Sequence, residues 1–178
     1  MLMVYWAVKA VGAKKSIGAR VRWRNSGVRV GVLVLVVLAL HLTGVRQAFR
    51  HARADADSTG MLLGLIGVVL CALGVGLAIW ARAFLGRNWG MPMSRKQDPE
   101  LVTGGPYAYV RHPIYTGIML AMLGSALGES VFWVLPLLLF GGYFIHSARA
   151  EEKLMLEQFP EQYPAYRRRT KMLLPFLF

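Results

Sequence analysis

Residues 61–80 read MLLGLIGVVLCALGVGLAIW, twenty consecutive positions without a charged side chain. A helix needs about 20 apolar residues to cross the hydrocarbon core of a bilayer, so this run predicts a transmembrane helix. Of the 178 residues in the chain, 56% are hydrophobic, whereas soluble domains fill a core with about half. The run therefore places the chain among membrane proteins.

Three other apolar stretches extend this pattern along the chain. Residues 30–45 form a first candidate span, and residues 114–127 and 131–145 form a helical hairpin. Residues 1–29 start apolar and then become basic, which favours an interfacial helix over a span. We predict an all-α, polytopic transmembrane helical bundle with about four apolar helices, an interfacial N-terminal helix and a cytoplasmic C-terminal helix that begins near Glu151.

A secretory signal is the alternative interpretation of the first apolar run, with Ala52-Arg53-Ala54 offering small residues for cleavage. The basic stretch before that run is 29 residues long, which exceeds the usual length in a signal, and another apolar run follows. These features favour a retained span.

Positive charge is concentrated beside the apolar runs. The net charge is +12, and the first run is preceded by basic residues without an acidic one: Lys9, Lys14, Lys15, Arg20, Arg22, Arg24 and Arg29. The positive-inside rule places both termini and the loop of residues 81–111 on the cytoplasmic side, and the clusters favour membrane lipids with anionic headgroups as partners. No recognition module accompanies the charge, which argues against a nucleic-acid partner.

Several chemistries find no support in the sequence. The other histidines are scattered away from His112 and the single Cys71 lies inside the uncharged run, so no metal site and no internal disulfide are expected. No serine sits in a nucleophile elbow, and neither a P-loop nor a GxGxxG pattern is present. The sequence therefore argues against a hydrolase and against the common nucleotide-binding folds.

Two polar clusters flank the predicted hairpin, at residues 107–117 and 146–153. The first contains RHPIY at residues 111–115, and the second contains the pair Glu151-Glu152. Because the helices of a hairpin run antiparallel, the start of one lies beside the end of the other. Ionisable groups so close to a bilayer indicate a functional site, although arginines and tyrosines also anchor helix ends at the headgroups.

The segments LVTGGPY at residues 101–107, RHPIYTG at 111–117 and RAEEKL at 149–154 resemble the motifs of the isoprenylcysteine carboxyl methyltransferase family and its phospholipid methyltransferase relatives. The resemblance covers residues 85–178, roughly half of the chain. It implies S-adenosylmethionine as the methyl donor, held between the loop and the tail helix rather than in a Rossmann domain.

Carried over position by position, the resemblance implies that the following residues contact the donor: Glu100, Leu101, Val102, Tyr107, His112, Pro113, Ile114, Tyr115 and Glu151. The ammonium of the donor suits the carboxylate of Glu151, and its carboxylate suits His112. Arg149 is the candidate that orients a carboxylate acceptor, and His112 is the candidate base for a phenol or amine acceptor. Family members commonly carry an arginine four residues before the first glutamate; this chain has Ser147 there, which leaves the acceptor open.

We therefore expect residues 1–29 to be a basic interfacial segment, residues 30–81 to hold two transmembrane helices, and residues 82–178 to form the methyltransferase core. The expected protein is a multi-pass membrane enzyme with its termini and active site on the cytoplasmic side. Its expected acceptor is a lipophilic small molecule or a lipidated substrate, possible types being an isoprenylcysteine carboxylate, a phenol, an amine or a thiol; the oligomeric state stays open. The alternatives are an NADPH-dependent membrane sterol or enone reductase, which shares a similar Arg-His-Pro and tyrosine region, and a non-catalytic membrane scaffold.

Overall fold

The computed structural model describes residues 58–88, 95–96, 100–129 and 131–175, together with positions 16–17, 31, 34–35 and 38. Most of the predicted interfacial segment, the alternative cleavage site near Ala52 and the last residues, 176–178, lie outside the described residues. Within the first predicted span, the described positions are helical, and their large apolar side chains are exposed: Val34, Leu35 and Leu38.

The uncharged run forms α1 at Ser58–Leu85, a helix of 28 residues. Its part Gly60–Leu85 is long and apolar enough to cross a membrane, and it is the one helix in the described ranges that meets both conditions. Large apolar side chains remain accessible on its surface, among them Met61 at 75% and Val68 at 67%. A helix in a soluble protein buries such side chains, so the surface of α1 suits lipid. The structure thus shows one clear span of the roughly four that the hydropathy pattern predicts.

The described residues also contain several short elements. A two-residue antiparallel ladder joins β1, Ser16–Ile17, to β2, Arg95–Lys96. Three 3-10 turns lie at Gly86–Asn88, Gly105–Ala108 and Val131–Trp133. Beyond the ladder and one isolated bridge, the regular structure of the described residues is helical, which agrees with the predicted all-α class.

Helix α2, Pro113–Gly128, packs antiparallel against α1 at very short range. A Cβ atom placed on Gly74 of α1 would lie 2.5 Å from the Gly117 carbonyl oxygen and 2.5 Å from the Ala121 nitrogen. Only glycine lets two helix backbones approach so closely. The same small residues recur at spacings of four, three and four on both helices: Gly67, Cys71, Gly74 and Ala78 on α1, and Gly117, Ala121, Gly124 and Gly128 on α2.

Helix α3, Val134–Gln158, is longer than the apolar run predicts. The second polar cluster does not begin a separate tail helix, because neither proline nor glycine interrupts the chain between Ile145 and Glu151. No kink is expected at Pro136, because it is the third residue of α3. The backbone N–H at that position has no hydrogen-bond partner within a helix. The helix ends just before Pro160, and α4, Gln162–Arg169, follows after a turn.

The segment after α4 folds back onto the hairpin, as its apolar residues predict. Met172 and Leu173 are buried at 8% and 3% exposure, and they share a core cluster with Tyr115 of α2 and with Phe144 and Ala148 of α3. This core lies next to the start of α2 and the middle of α3. The core therefore packs against the two polar clusters and helps to fix their positions.

Candidate functional site

The start of α2 is held by backbone hydrogen bonds to the segment after α4. The Arg111 N–H donates to the Lys171 carbonyl over 2.9 Å, and the His112 N–H donates to the Met172 carbonyl over 3.1 Å. The hydroxyl of Thr116, one turn into α2, donates to a carbonyl of the same segment over 2.7 Å. The position of RHPIY is therefore fixed by residues almost sixty positions further along the chain.

Arg111 and Glu152 form a buried ion pair between the two polar clusters. Arg111 Nε donates to Glu152 Oε1 over 2.7 Å, and the two side chains are 9% and 7% exposed. Arg111 Nη1 also donates to the carbonyl oxygens of Thr170 and Arg167. Arg167 Nε lies 3.4 Å from Glu152 Oε2. A buried pair is stable only when its remaining donors and acceptors are satisfied, and this pair meets that condition through α4.

His112 lies between the two carboxylates of α3. Its Nδ1 atom is 3.5 Å from Glu151 Oε2, and its Nε2 atom is 3.7 Å from Glu152 Oε1, beyond hydrogen-bond distance. The Tyr115 hydroxyl donates to Glu151 Oε1 over 2.5 Å. The Tyr115 ring stacks between those of His112 and Phe144, with ring centroids 5.6 Å and 4.6 Å away. Glu151 is the more open carboxylate, with 26% of its side chain exposed.

Burial and charge compete at His112 and Glu152. Burial alone lowers the pKa of His112, but Glu151 and Glu152 outweigh it and raise the pKa above its usual 6.5. Burial alone raises the pKa of Glu152, but His112 and Arg111 outweigh it and lower the pKa below its usual 4.5. The folded protein therefore favours an imidazolium held between carboxylates.

We expect the stability of the protein to depend on pH through these two groups. The raised pKa of His112 stabilises the fold fully below pH 6.5, and this contribution disappears as the pH rises through the higher folded-state value. The lowered pKa of Glu152 stabilises the fold above pH 4.5, and this contribution is lost as the pH falls through the lower folded-state value. The apparent Tm, measured by thermal unfolding in detergent, is expected to be highest between these limits.

Two histidine variants separate His112 from general effects of pH. His112→Gln is expected to flatten the decline of the apparent Tm on the alkaline side. His146→Gln, at an exposed position of the same α3, is expected to leave that decline unchanged. An alkaline decline of wild-type size in His112→Gln would assign it to another group.

Two tyrosines connect α4 to the end of α1. The Tyr166 hydroxyl donates to the Tyr107 carbonyl over 2.7 Å, and the Tyr107 hydroxyl donates to the Ala81 carbonyl over 3.4 Å. Burial raises the pKa of Tyr107 and raises the pKa of Tyr166 to about 12. Both phenols therefore stay protonated and act as hydrogen-bond donors at neutral pH.

The same stretch of sequence that forms the hairpin matches a known family model. The model is described as phospholipid methyltransferase, and it matches residues 62–162, more than half of the chain. The chain belongs to the phospholipid methyltransferase family. The match begins inside α1 and ends just after α3, so it includes both polar clusters.

Two curated proteins are similar to this chain. The cobalt-zinc-cadmium resistance protein CzcN of Cupriavidus metallidurans is 35% identical over 155 residues, which are 84% of this chain and 64% of the relative. The protein-S-isoprenylcysteine O-methyltransferase of Schizosaccharomyces pombe is 35% identical over 85 residues, 47% of this chain and 36% of that protein. The chain thus spans less than two thirds of the length of these relatives.

A solved structure shows the same fold. The eukaryotic intramembrane Ras methyltransferase ICMT, an isoprenylcysteine carboxyl methyltransferase, superposes with a TM-score of 0.58 at 23% identity, covering 86% of this chain and 53% of that one. Together with the relatives, it confirms the resemblance to the isoprenylcysteine carboxyl methyltransferase family.

In this member of the phospholipid methyltransferase family, six of the nine predicted donor residues lie in or around the start of α2. The structure brings the following together there: Tyr107, His112, Pro113, Ile114, Tyr115 and Glu151. Glu100, Leu101 and Val102 lie upstream, before the turn that contains Tyr107. Glu100 is exposed and accepts a hydrogen bond from Asn88 Nδ2 over 3.0 Å. Contact with a donor stays a prediction for all nine residues.

Arg149 lies on a different face of α3 from Glu151. Two residues of helix correspond to a rotation of about 200°, and Arg149 is exposed on a stripe with His146 and Lys153. Its role as the guide for an acceptor stays a prediction.

Sequence patterns alone assign no partner to Arg111 or Glu152, which the structure joins. The pair could have been inferred from the predicted hairpin, because Arg111 is a cation at its start and Glu152 is a carboxylate at its end. The carbonyl oxygens of Arg167 and Thr170 also accept from Arg111. They could not be predicted from the sequence, because every residue has a backbone acceptor.

Proposed function

We propose that this chain is an S-adenosylmethionine-dependent methyltransferase of the membrane that acts on a lipophilic acceptor. The observation that carries the proposal is the meeting of His112, Tyr115 and Glu151 where the two ends of the α2–α3 hairpin come together. Membership of the phospholipid methyltransferase family supports methyl transfer as the reaction.

The residues fit the amino-acid part of such a donor. Glu151 is partly exposed and offers a carboxylate to an ammonium group. His112 Nε2 is buried and has no hydrogen-bond partner among the described residues, so it offers a donor to a carboxylate. A cationic and an anionic partner side by side match the two charges of an α-amino acid. When bound, S-adenosylmethionine supplies a methyl group on a positively charged sulfur.

The protein contributes to this reaction by aligning the reactants and by limiting the access of water. The Arg111–Glu152 pair fixes α3 against the start of α2, and the stacked rings of His112, Tyr115 and Phe144 set the orientation of the donor site. In-line displacement at a methyl group depends chiefly on the alignment of two reactants, and prior alignment lowers its entropic barrier. The buried core around Phe144 adjoins these rings and limits the access of water from that side.

An apolar acceptor suits the surroundings of the site. A cavity of about 160 Å³ lies between α1 and α2, lined by Gly74, Val75, Ala78, Gly117, Ile118, Ala121, Met122, Ser125 and Trp133. These side chains are mostly apolar, and α1 presents apolar residues to its surroundings. We infer that the acceptor reaches the site from the bilayer while the donor arrives from water. The relative in Schizosaccharomyces pombe is named for an isoprenylcysteine acceptor, which is lipidic.

The proposed topology is multi-pass, with the site on the cytoplasmic side. Exposed basic residues lie close to the site on α4 and just after it: Arg167, Arg168, Arg169 and Lys171. Basic residues at the ends of spans favour the cytoplasmic face and anionic lipids. In this arrangement residues 1–29 lie along the membrane, residues 30–81 cross it twice, and residues 82–178 form the catalytic unit.

Binding of radiolabelled S-adenosylmethionine to the purified full chain in detergent tests the proposal. Glu151→Gln keeps the shape and the acceptor for Tyr115 but removes the charge. A charge-assisted hydrogen bond contributes about 1.5–3 kcal/mol, so the Kd for the donor is expected to rise about 10- to 100-fold. Glu161→Gln, an exposed position before α4, is expected to leave the Kd unchanged.

Two outcomes would contradict the proposal. If the wild-type protein does not bind the donor, the methyltransferase function is excluded. Binding of NADPH in its place would favour the alternative function, an NADPH-dependent membrane reductase. Equal Kd values for Glu151→Gln and wild type would mean that the donor binds to another part of the chain.

A further inference from the structure

Three polar residues lie on one face of α3 and form a row that runs from the candidate site toward the start of the helix. Tyr143, Ser147 and Glu151 are spaced four apart, which places them above one another on the helix surface. Ser147 is completely buried, and the hydroxyl oxygen of Tyr143 is buried as well. Glu151 ends this row and accepts the hydrogen bond from Tyr115. The row leads from the proposed donor site toward the apolar half of α3.

The hydroxyls of Tyr143 and Ser147 have no hydrogen-bond partner among the described residues. Hydroxyls in helices commonly donate to the carbonyl one turn earlier. Ser125 does so, donating to Ala121 over 3.0 Å, and Thr116 does so with His112 over 3.2 Å. Buried polar groups without partners are rare in folded proteins. Two of them in one row, next to a proposed reaction site, indicate a ligand that completes them.

The imidazolium of His112 lies beside the Glu151 end of this row, where the carboxylates of Glu151 and Glu152 already offset its charge. The nearby arginines are engaged or directed elsewhere. Arg111 is paired with Glu152, Arg82 donates to the Gly86 carbonyl at the end of α1, and Arg149 is exposed on another face of α3. A carboxylate placed beside Ser147 would be desolvated, and the charge of Glu151 one turn away would repel it. An uncharged group would meet neither penalty.

We propose that Tyr143 and Ser147 bind the head group of an uncharged acceptor, a thiol or a phenol on an apolar chain. This inference rests on the proposed methyltransferase function and assigns its substrate class. A lone pair on the acceptor sulfur or oxygen forms the new bond to the methyl carbon, and the electron pair of the broken bond goes to the sulfonium sulfur of the donor. The acceptor proton passes to the Tyr115 hydroxyl, which gives its own proton to Glu151 Oε1.

Methyl transfer to three acceptors with the same alkyl chain tests the inference. An alkanethiol, an alkylphenol and a fatty acid are compared with the full chain in lipid nanodiscs and radiolabelled S-adenosylmethionine. We expect kcat/KM for the thiol or the phenol to exceed that for the fatty acid by at least about tenfold, the equivalent of one hydrogen bond. Ser147→Ala and Tyr143→Phe are expected to raise the acceptor KM about tenfold and to leave the Kd of the donor unchanged.

Tyr109→Phe serves as the control, because it removes a tyrosine hydroxyl at a position that is 63% exposed and lies outside the row. A higher kcat/KM for the fatty acid overturns the inference, and so do unchanged acceptor KM values in both row variants. Either result leaves the methyltransferase proposal intact, since the donor still binds. Failure of wild-type protein to bind the donor overturns both. The apparent Tm of each variant shows that a raised KM does not come from unfolding.

Discussion

Replacing Arg111 with alanine is expected to destabilise the protein by about 3–5 kcal/mol, the typical cost of leaving a buried charge without its partner. Glu152 would keep its negative charge at 7% exposure, and the carbonyl oxygens of Thr170 and Arg167 would lose their donor. The expected result is a large fall in the apparent Tm and loss of donor binding, since His112 is placed by the same segment. Thermal unfolding with a cysteine- or tryptophan-based probe in detergent measures it.

Arg167→Ala is the matched control for this variant. Arg167 faces the same carboxylate at 3.4 Å, but 53% of its side chain is exposed. Exposed pairs contribute about 0–1 kcal/mol, so its apparent Tm is expected to stay close to that of wild type. Equal losses in the two variants would show that the burial of Arg111 has no energetic consequence. Adding Glu152→Gln to Arg111→Ala should restore part of the loss, because it removes the buried charge that has lost its nearest partner.

Gly74→Leu is expected to separate α1 from α2. A Cβ atom at this position would lie 2.5 Å from two backbone atoms of α2, which cannot move aside as a side chain can. Overpacking costs about 1–3 kcal/mol where neighbours can adjust and more where they cannot, so we expect at least about 3 kcal/mol. The measurement is the recovery of monodisperse protein in size-exclusion chromatography together with the apparent Tm.

Gly76→Leu provides the comparison on the same helix. A Cβ atom on Gly76 would have no heavy atom of a neighbour within 4 Å, so added bulk there meets open space. We expect Gly76→Leu to behave as wild type does in both measurements. Similar losses in the two variants would mean that α1 and α2 do not pack through Gly74.

The hydropathy of the chain predicted α1 well but could not predict the face by which it packs. The four-residue spacing of the pairs Gly60/Gly64 and Gly124/Gly128 permits close packing of helices, and the second pair does lie in the contact. On α1, however, the contact uses Gly67 and Gly74, while a Cβ on Gly64 would meet open space. Because α1 is apolar on all sides, its sequence contains no polar face that marks the outside. Which glycines pack is decided by the partner helix.

The candidate site was predictable as far as the hairpin geometry extends. The antiparallel arrangement brings Tyr115 to Glu151, as the positions of the two clusters predicted. The exposed position of Arg149 could also have been read from the sequence, since a period of 3.6 residues turns it away from Glu151. The bonds of Arg111 to the carbonyl oxygens after α4 depend on the path of the chain, which side-chain patterns do not describe.

The hydrogen bonds that join Arg111 and His112 to Lys171 and Met172 also constrain the order of assembly during synthesis. A ribosome makes both polar clusters and the hairpin between them before it makes the residues that fasten them. The hairpin can therefore enter the membrane while the proposed donor site is still unformed. Completion of the site has to wait until residues 170–173 leave the exit tunnel, so nascent chains stalled before that point should be inserted but unable to bind a methyl donor.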